Sequence, residues 1–297
     1  MRISTQQIVQ DTILGVEDAY SRFGVAEKQV STGKRINQPS DDPVGTGEVL
    51  KLKQLNSQID QYNNIIDLAV NFLSTTDSAL SSTNNLLQQA RTIALQAANS
   101  SLDDSARANL ADQIGQIITQ VISLGNSSYE GRYIFAGQRT KTAPLAQTPS
   151  GFVYYGGSAA TGDGDISLDV NVGESVTINV TGDQVFMPIL NTLRSLQNDI
   201  ANGQLSTVSN VDVANIDTQL GNLLSVRAGV GAKIDMLNGE KLRNSQVSIG
   251  NTSLLAQVQD TDMAKGMVDL QTAQTAYQAA LMATAHAYQY SLLDFLR

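Results

Sequence analysis

The sequence predicts a mainly α fold in which the N- and C-terminal segments pair into an elongated helical coiled-coil rod, with a small β-rich insert at its tip. Three observations predict it. Apolar residues recur at alternating three- and four-residue steps over most of the chain. That pattern is interrupted in the middle by a glycine-rich segment with two-residue alternation. The order of segments is also nearly the same read from either end: helix, break, long helix, insert, long helix, helix.

The first helix carries Val9, Ile13, Val16, Tyr20, Phe23, Glu27 and Val30 at heptad spacing, where Glu27 is the one polar member. It is followed by STGKRINQPSDDP, Ser31 to Pro43, which interrupts the helical pattern thoroughly. Gly33 can terminate the first helix, Pro39 and Pro43 drive Gln38 and Asp42 out of the α region, and Ser40, Asp41 or Asp42 can cap the helix that follows. Such a linker lets two coiled segments sit at different angles. An anion or metal site built from Lys34, Arg35, Asp41 and Asp42 is the competing reading, but no phosphate-cradling glycine pattern and no spaced His accompany them.

The second helix runs from Leu52 through Leu55, Ile59, Tyr62, Ile66, Ala69, Leu73, Thr76, Leu80, Thr83, Leu87, Ala90, Ala94 and Ala97, with two Thr as its only polar seam members. A helix from about Gly47 to Asn99 is roughly 80 Å long at 1.5 Å per residue. After a polar turn at Ser100 to Ser105, Leu110, Ile114, Ile117, Val121 and Leu124 form a third helix, expected to fold back as an antiparallel partner.

Between Gly125 and Gly182 lie 10 of the 23 glycines, and Tyr, Phe and Val replace Gln and Ala. Ile166 to Val172 and Ser175 to Val180 both alternate. Gly173-Glu174 between them suits a type II′ hairpin. Pro144, Pro149 and Pro188 are expected at the edges of this insert, where helices stop. Helical spacing resumes with Phe186, Leu190, Leu193 and Ile200, then Ile216, Leu220, Leu223, Arg227, Val230, Ile234 and Leu237. The last helix carries Met263, Met267, Leu270, Gln274, Tyr277, Leu281, Thr284, Tyr288, Ser291 and Phe295. The division expected is residues 1–43 with 255–297 as a terminal coiled coil, 44–138 with 183–254 as a long-helix rod, and 139–182 as an outer β-rich insert.

Composition excludes several function classes. With no Cys, no Trp and one His, the chain has no thiolate chemistry, no disulfide frame and few routes to a zinc site. His286 has no second His or obvious carboxylate beside it and is read as a packing residue rather than a catalytic one. Asp163, Asp165 and Asp169 lack the spacing and terminal Glu of a calcium loop and are read as a loop leading into the hairpin. Met263 and Met267 are read as seam packing after a cap in Asp260 to Asp262. No catalytic, cofactor or metal site is expected. The net charge of -9, spread without basic blocks, argues against nucleic acid. No apolar run reaches membrane-spanning length, and the N-terminus has no h-region of a cleaved signal peptide.

Leu270 to Leu293 contains no charged residue in 24 positions, yet it holds four Gln, three Thr, one Ser and seven Ala. It is too polar for lipid and too uncharged for a solvated surface, which suits burial among copies of itself. Ordering each terminal segment costs about 1.5 kcal/mol per residue. One narrow seam does not offset that, so Met1 to Pro43 and Leu255 to Arg297 are expected to be mobile in the free chain and to order on assembly.

STGKRINQPSDDP, the seam before it, and the C-terminal stretch SVRAGVGAKIDMLNGEKLRNSQVSIG through to SLLDFL resemble the bacterial flagellin family. The likeness covers roughly Met1 to Gly137 and Gly182 to Arg297 and fades in the insert. The QPSDDP form of the break and the SLLDFL ending resemble members that join hook to filament. A short flagellin that forms the filament itself is the alternative.

The resemblance implies a flagellin-like, non-enzymatic structural subunit of a tubular assembly, with its termini in the tube core and the insert facing outward. It implies as partners another hook-associated protein below, flagellin above, copies of itself in a ring-like layer, a cytoplasmic export chaperone and the flagellar export apparatus. It implies an extracellular place at the hook–filament junction, reached without a cleaved signal peptide. The assembly interface is then Val9, Ile13, Val16, Tyr20, Phe23, Val30, Met263, Met267, Leu270, Tyr277, Leu281, Tyr288 and Phe295. The interdomain linker is Gly33, Arg35, Asn37, Pro39, Asp41, Asp42 and Pro43. An enzyme with a coiled-coil stalk is disfavoured by an insert without His or Cys, whereas glycan binding by the insert alone stays open.

Overall fold

The computed structural model describes residues 5–98, 103–158 and 160–295. Among the described residues seven helices and six short strands follow in order: α1 (Thr5–Thr32), α2 (Pro43–Ala97), α3 (Asp104–Gly125), β1 (Ser128–Tyr129), β2 (Arg132–Tyr133), β3 (Leu145–Thr148), β4 (Gly151–Tyr154), β5 (Ser167–Asn171), β6 (Glu174–Thr177), α4 (Gly182–Ala201), α5 (Leu205–Thr207), α6 (Val213–Gln259) and α7 (Met263–Phe295). A π-helical turn, Val208–Asp212, joins α5 to α6. The chain divides into two compact units, Met1–Gln58 with Gln246–Arg297, and Ile59–Ser245; α2 and α6 contribute to both.

The larger unit is organised by the α2 seam. Ile66, Ala69, Leu73, Leu80, Leu87, Ala90, Ala94 and Ala97 are fully buried, and so are the two Thr. Thr76 and Thr83 are tolerated because each hydroxyl donates to the carbonyl four residues back, Phe72 and Ala79, both at 2.9 Å. Opposite them Ile216, Leu223, Val230 and Leu237 of α6 are buried.

Side-chain pairs fix α2 and α6 as antiparallel. Arg91 meets Asp217 at 2.6 Å, Asp77 meets Arg227 at 2.8 Å, Asp67 meets Lys241 at 2.5 Å and Asn63 meets Asn244 at 3.3 Å. These partly exposed pairs set register more than they stabilise. Arg227, the polar position in the α6 seam, is thus accounted for by its carboxylate partner.

α3 starts where Asp103 accepts from the Ala106 amide at 2.7 Å. It folds back along α2, since Ser82, Asn85 and Leu86 line one groove with Gln120, Ser123 and Leu124. It also packs on α4, where the Gln197 side chain donates to the Ala111 carbonyl at 3.2 Å. Of the polar turn expected at Ser100 to Ser105, Ser100, Ser101 and Leu102 lie outside the described residues.

The β segment forms three separate antiparallel ribbons, β1 with β2, β3 with β4 and β5 with β6. Two details differ from the sequence expectation. The β5–β6 ribbon is closed by Val172-Gly173, because Asn171 pairs with Glu174. Gly173, with φ 76°, is therefore the second central residue of the turn and not the first of a type II′ turn. A register shift between Asp169 and Asn171 absorbs the difference.

Pro188 does not end a helix. It lies inside α4, which begins six residues earlier at Gly182. The hydrogen bond it forgoes is the one to the carbonyl of Gln184, an exposed residue.

Polar contacts tie the ribbons to the neighbouring loops and, at one point, to α6. The Tyr154 hydroxyl lies 2.8 Å from the carbonyl oxygens of both Phe135 and Gly157, and burial pushes its ionisation up to about 12. The Asn171 amide donates to Glu240 of α6 at 2.6 Å.

In the smaller unit Ile36, Val49 and Leu52 are buried. Asn251 of α6 donates to Asn56 of α2 at 3.0 Å. The remainder of this unit is the pair α1 and α7.

Candidate functional site

The break between α1 and α2 is folded onto a second break, between α6 and α7. Gly33, in the left-handed region at φ 69°, ends α1. From there the chain pairs with the end of α6: the amides of Arg35 and Ile36 donate to the Gln259 carbonyl at 2.7 and 3.3 Å, and Thr261 donates to the Gly33 carbonyl at 3.0 Å. Lys34 and Asp260 face each other in an antiparallel bridge. The Gln259 side chain, itself buried, donates to the Ile36 carbonyl at 3.3 Å.

Each linker residue has a defined task. Gln38 to Asp41 is a turn with Pro39 in its second position, closed by the Asp41 amide on the Gln38 carbonyl at 3.0 Å. The Asp41 carboxylate accepts from the amides of Asn37 and Gln38, both at 2.9 Å, while the Asn37 side chain donates to the Lys34 carbonyl at 2.7 Å. Asp42 is the cap of α2, accepting from the Gly45 amide at 2.9 Å, and Pro43 occupies the first helical position, where a missing N–H costs nothing. Arg35 bridges both breaks: its guanidinium donates to Asp42 at 3.2 Å and to the Val258 carbonyl at 2.9 Å.

Electrostatics follow from this donor set. Main-chain amides of Asn37 and Gln38 hold the Asp41 carboxyl below its ordinary value. The Gly45 amide, then Arg35, do the same for Asp42. The carboxylates are spent on the chain's own amides, which leaves the anion or metal reading of Lys34, Arg35, Asp41 and Asp42 without support. Among the described residues no group of three or more His, Cys, Asp or Glu could hold a metal.

Beyond the breaks, α1 and α7 run antiparallel. Phe23 stacks on Tyr277 with centroids 6.1 Å apart, Tyr20 tilts against the same ring at 5.5 Å, and a Cβ on Gly266 would stand 3.3 Å from a Val30 methyl. Asp262 caps α7 through the amide of Ala264 at 2.9 Å.

The seam differs from the large-residue heptad in every second position. On α1, Val16, Phe23 and Val30 are partly covered as expected, but Ala19 and Ala26 turn inward in place of Tyr20 and Glu27. On α7, Leu270 and Tyr277 keep their places, while Gly266, Ala273 and Ala280 replace Met267, Gln274 and Leu281. Small residues there let the two backbones approach closely.

The displaced large residues point outward. Tyr20 is 61% exposed, Ile13 39%, Met263 47%, Met267 55% and Leu281 44%. Leu14, Val25, Val268 and Met282 add to this surface. Met263 and Met267 are thus not seam residues within the chain, and His286 is exposed rather than packed. The side chains of Val9, Tyr288 and Phe295 lie outside the described residues.

In the insert, Asp163 organises its own loop. It accepts from the Ser158 amide at 3.2 Å and the Thr161 hydroxyl, and it pairs with Arg139 at 2.6 Å. The Thr161 hydroxyl, then Arg139, hold its carboxyl below the ordinary value. Among the described residues no helix is long and apolar enough to cross a membrane.

Sequence reasoning located the first break but missed its partner at Val258 to Asp262. The available signal there was the DTD cap alone.

Residues 3–140 match the bacterial flagellin N-terminal helical region. Flagellar hook-associated protein 3 of Escherichia coli (strain K12) is 28% identical over 95% of this chain and 96% of its own. Among solved structures, flagellar hook associated protein-3 of Legionella pneumophila superposes with a TM-score of 0.65 at 18% identity, over 71% of this chain and 98% of that one. The flagellar junction protein FlgL of the same species superposes at 0.60 and 20% identity, over 71% of this chain and all of its own. These structural likenesses speak for the fold. Along nearly its whole length the chain is similar to flagellar hook-associated protein 3, and residues 3–140 match the N-terminal helical region of bacterial flagellins.

Proposed function

We propose that this chain is a structural subunit of the bacterial flagellum that joins the hook to the filament. The observation that supports this most is the end-to-end likeness to the hook-associated protein of Escherichia coli, which spans insert and helices alike. The work is mechanical. Two coiled pairs meet at a hydrogen-bonded junction of chain breaks, so the terminal pair α1 and α7 can take up an angle to the long helices α2 and α6 without losing its main-chain partners.

The terminal helices, residues 1–43 and 255–297, make the core contacts of the assembled tube. Residues 44–138 and 183–254 form its wall and 139–182 its outer surface. The outward Ile13, Tyr20, Met263, Met267 and Leu281 meet neighbouring copies in a ring-like layer. A hook-associated protein lies below and flagellin above. Before assembly, a chaperone covers the C-terminal helix and the flagellar export apparatus carries the chain outside the cell without signal cleavage. The chain performs no catalysis in this role.

The test is complementation. In a bacterium lacking its own hook-associated protein 3, expression of this chain restores filaments on existing hooks and motility. Hooks that stay bare while the protein reaches the medium would contradict the reading.

A further inference from the structure

Beside the start of α4, the larger unit holds a cavity of about 400 Å³ between the β6–α4 connection and α6. That volume falls within the roughly 300–1,000 Å³ of small-molecule sites. Two side chains of opposite charge line it, Lys233 of α6 and the exposed Asp165 ahead of β5. The Lys233 ammonium makes no hydrogen bond or ion pair with any described residue; it feels the Asp165 charge without being paired to it.

A third polar group in the same wall is left over. Thr181 stands at the cap position of α4, yet its side chain caps nothing. It is 4% exposed, and its hydroxyl has no hydrogen-bond partner. A buried hydroxyl without a partner carries a desolvation penalty that a bound acceptor would relieve. The positive end of the α4 dipole lies at this point, shared with Asp183, which accepts from the Gln184 amide at 2.9 Å. On the α6 side the wall is aliphatic, with Val226 and Val230 flanking Gly229. We propose that this cavity binds a small aliphatic α-amino acid, with its carboxylate on Lys233 and the Thr181 hydroxyl, its ammonium on Asp165 and its side chain on Val226 and Val230.

A zwitterion is the guest that uses every group present. A simple anion would face Asp165, and a simple cation would face Lys233. Burial holds the Lys233 ammonium below its ordinary value, with the Asp165 charge opposing that shift, so an arriving carboxylate supplies the partner the ammonium lacks. The frame is built in advance. Asn179, itself buried, accepts from the Ile166 amide at 2.7 Å and donates to the Gly164 carbonyl at 2.6 Å, which fixes the segment that carries Asp165. Because the site exists only where the β6–α4 connection lies against α6, binding stabilises the larger unit.

The test titrates L-leucine into the full chain and follows the backbone amide NMR signals of residues 177–184 and 226–233. A saturable shift confined to these segments is expected. Isocaproate, which lacks the ammonium, and isoamylamine, which lacks the carboxylate, should each bind on the order of tenfold more weakly or worse. Lys233→Met and Asp165→Asn should each weaken leucine by a similar factor. A Cβ on Gly229 meets no atom within 4 Å, so Gly229→Leu fills the cavity in a helix that leucine favours. That variant should keep the wild-type fold and lose binding. No saturable shift with leucine, or binding undiminished in Gly229→Leu, would overturn the proposal. Isocaproate binding as tightly as leucine would also overturn it, by making the cavity a plain carboxylate site.

Discussion

The Arg35 amide donates to the Gln259 carbonyl at 2.7 Å, tying together two breaks that lie more than two hundred residues apart in the chain. The break at Ser31 to Pro43 is therefore one half of a joint. Its prolines and aspartates shape a loop whose exposed donors and acceptors are met by the end of α6.

Acid should undo the joint before it undoes the long helices. Asp41 and Asp42 are held below their ordinary values, so their contribution is present above about pH 4 and is lost as pH falls through their folded-state values. Amide protection at residues 34–46 should fall on acidification below pH 4 while the α2 seam stays protected. Asp42→Ala should remove the Asp42 share of this difference and expose the first turn of α2 at neutral pH, while the share carried by Asp41 on the Asn37 and Gln38 amides remains.

Close approach of α1 and α7 depends on their small residues. Ala26→Leu should cost about 1–3 kcal/mol through overpacking, read as a shift in the denaturation of the terminal helix pair. Loss of the Phe23 and Tyr277 stacking signal should accompany it.

The outward residues should behave in the opposite way. Met267→Asp and Leu281→Asp should change the stability of the free chain by no more than about 0.5 kcal/mol. Both should prevent incorporation at hook ends. A variant that assembles normally would remove these residues from the interface.

The long-helix seam is the most sensitive part of the molecule. Ile66 is fully buried, and Ile66→Asp combines lost burial with an unpaired charge, on the order of 5 kcal/mol. Thermal denaturation should register this as a large fall in Tm. An unchanged Tm would contradict the packing of α2.

Much of this was legible in the sequence where large apolar residues alone decide the packing. The α2 seam from Ile66 to Ala97 is buried position for position, and in the α6 seam Ile216, Leu223, Val230 and Leu237 are buried while Leu220, Arg227 and Ile234 are half-buried. Legibility failed where packing is decided by something smaller or more distant. A heptad count rewards Tyr20 and Met267, yet Ala19 and Gly266 take the inner positions because they let helices approach. The turn after Asn171 shifted by one residue because a bulge alters register without altering composition. Pro188 sits within a helix because the carbonyl it leaves free is on the exposed Gln184. Nothing local marks Gln259 as the partner of Arg35, since main-chain pairing across the whole chain leaves no periodic trace.

Order in the terminal pair bears on assembly. α1 and α7 share a thin seam in which Ala26 and Gly266 are the buried members among the described side chains. In the free chain their amides should exchange far faster than those of α2 and α6, and incorporation into the tube should protect them. Equal protection of all four helices in the free chain would contradict this.

The central claim is that the chain is a junction subunit, and hook ends test it most directly. Excess purified protein is added to isolated hooks already carrying the preceding hook-associated protein, and the ends are examined by electron microscopy. The account predicts a short terminal zone that stops growing and then permits flagellin to elongate. Continued elongation from this protein alone would contradict it and make the chain a filament subunit.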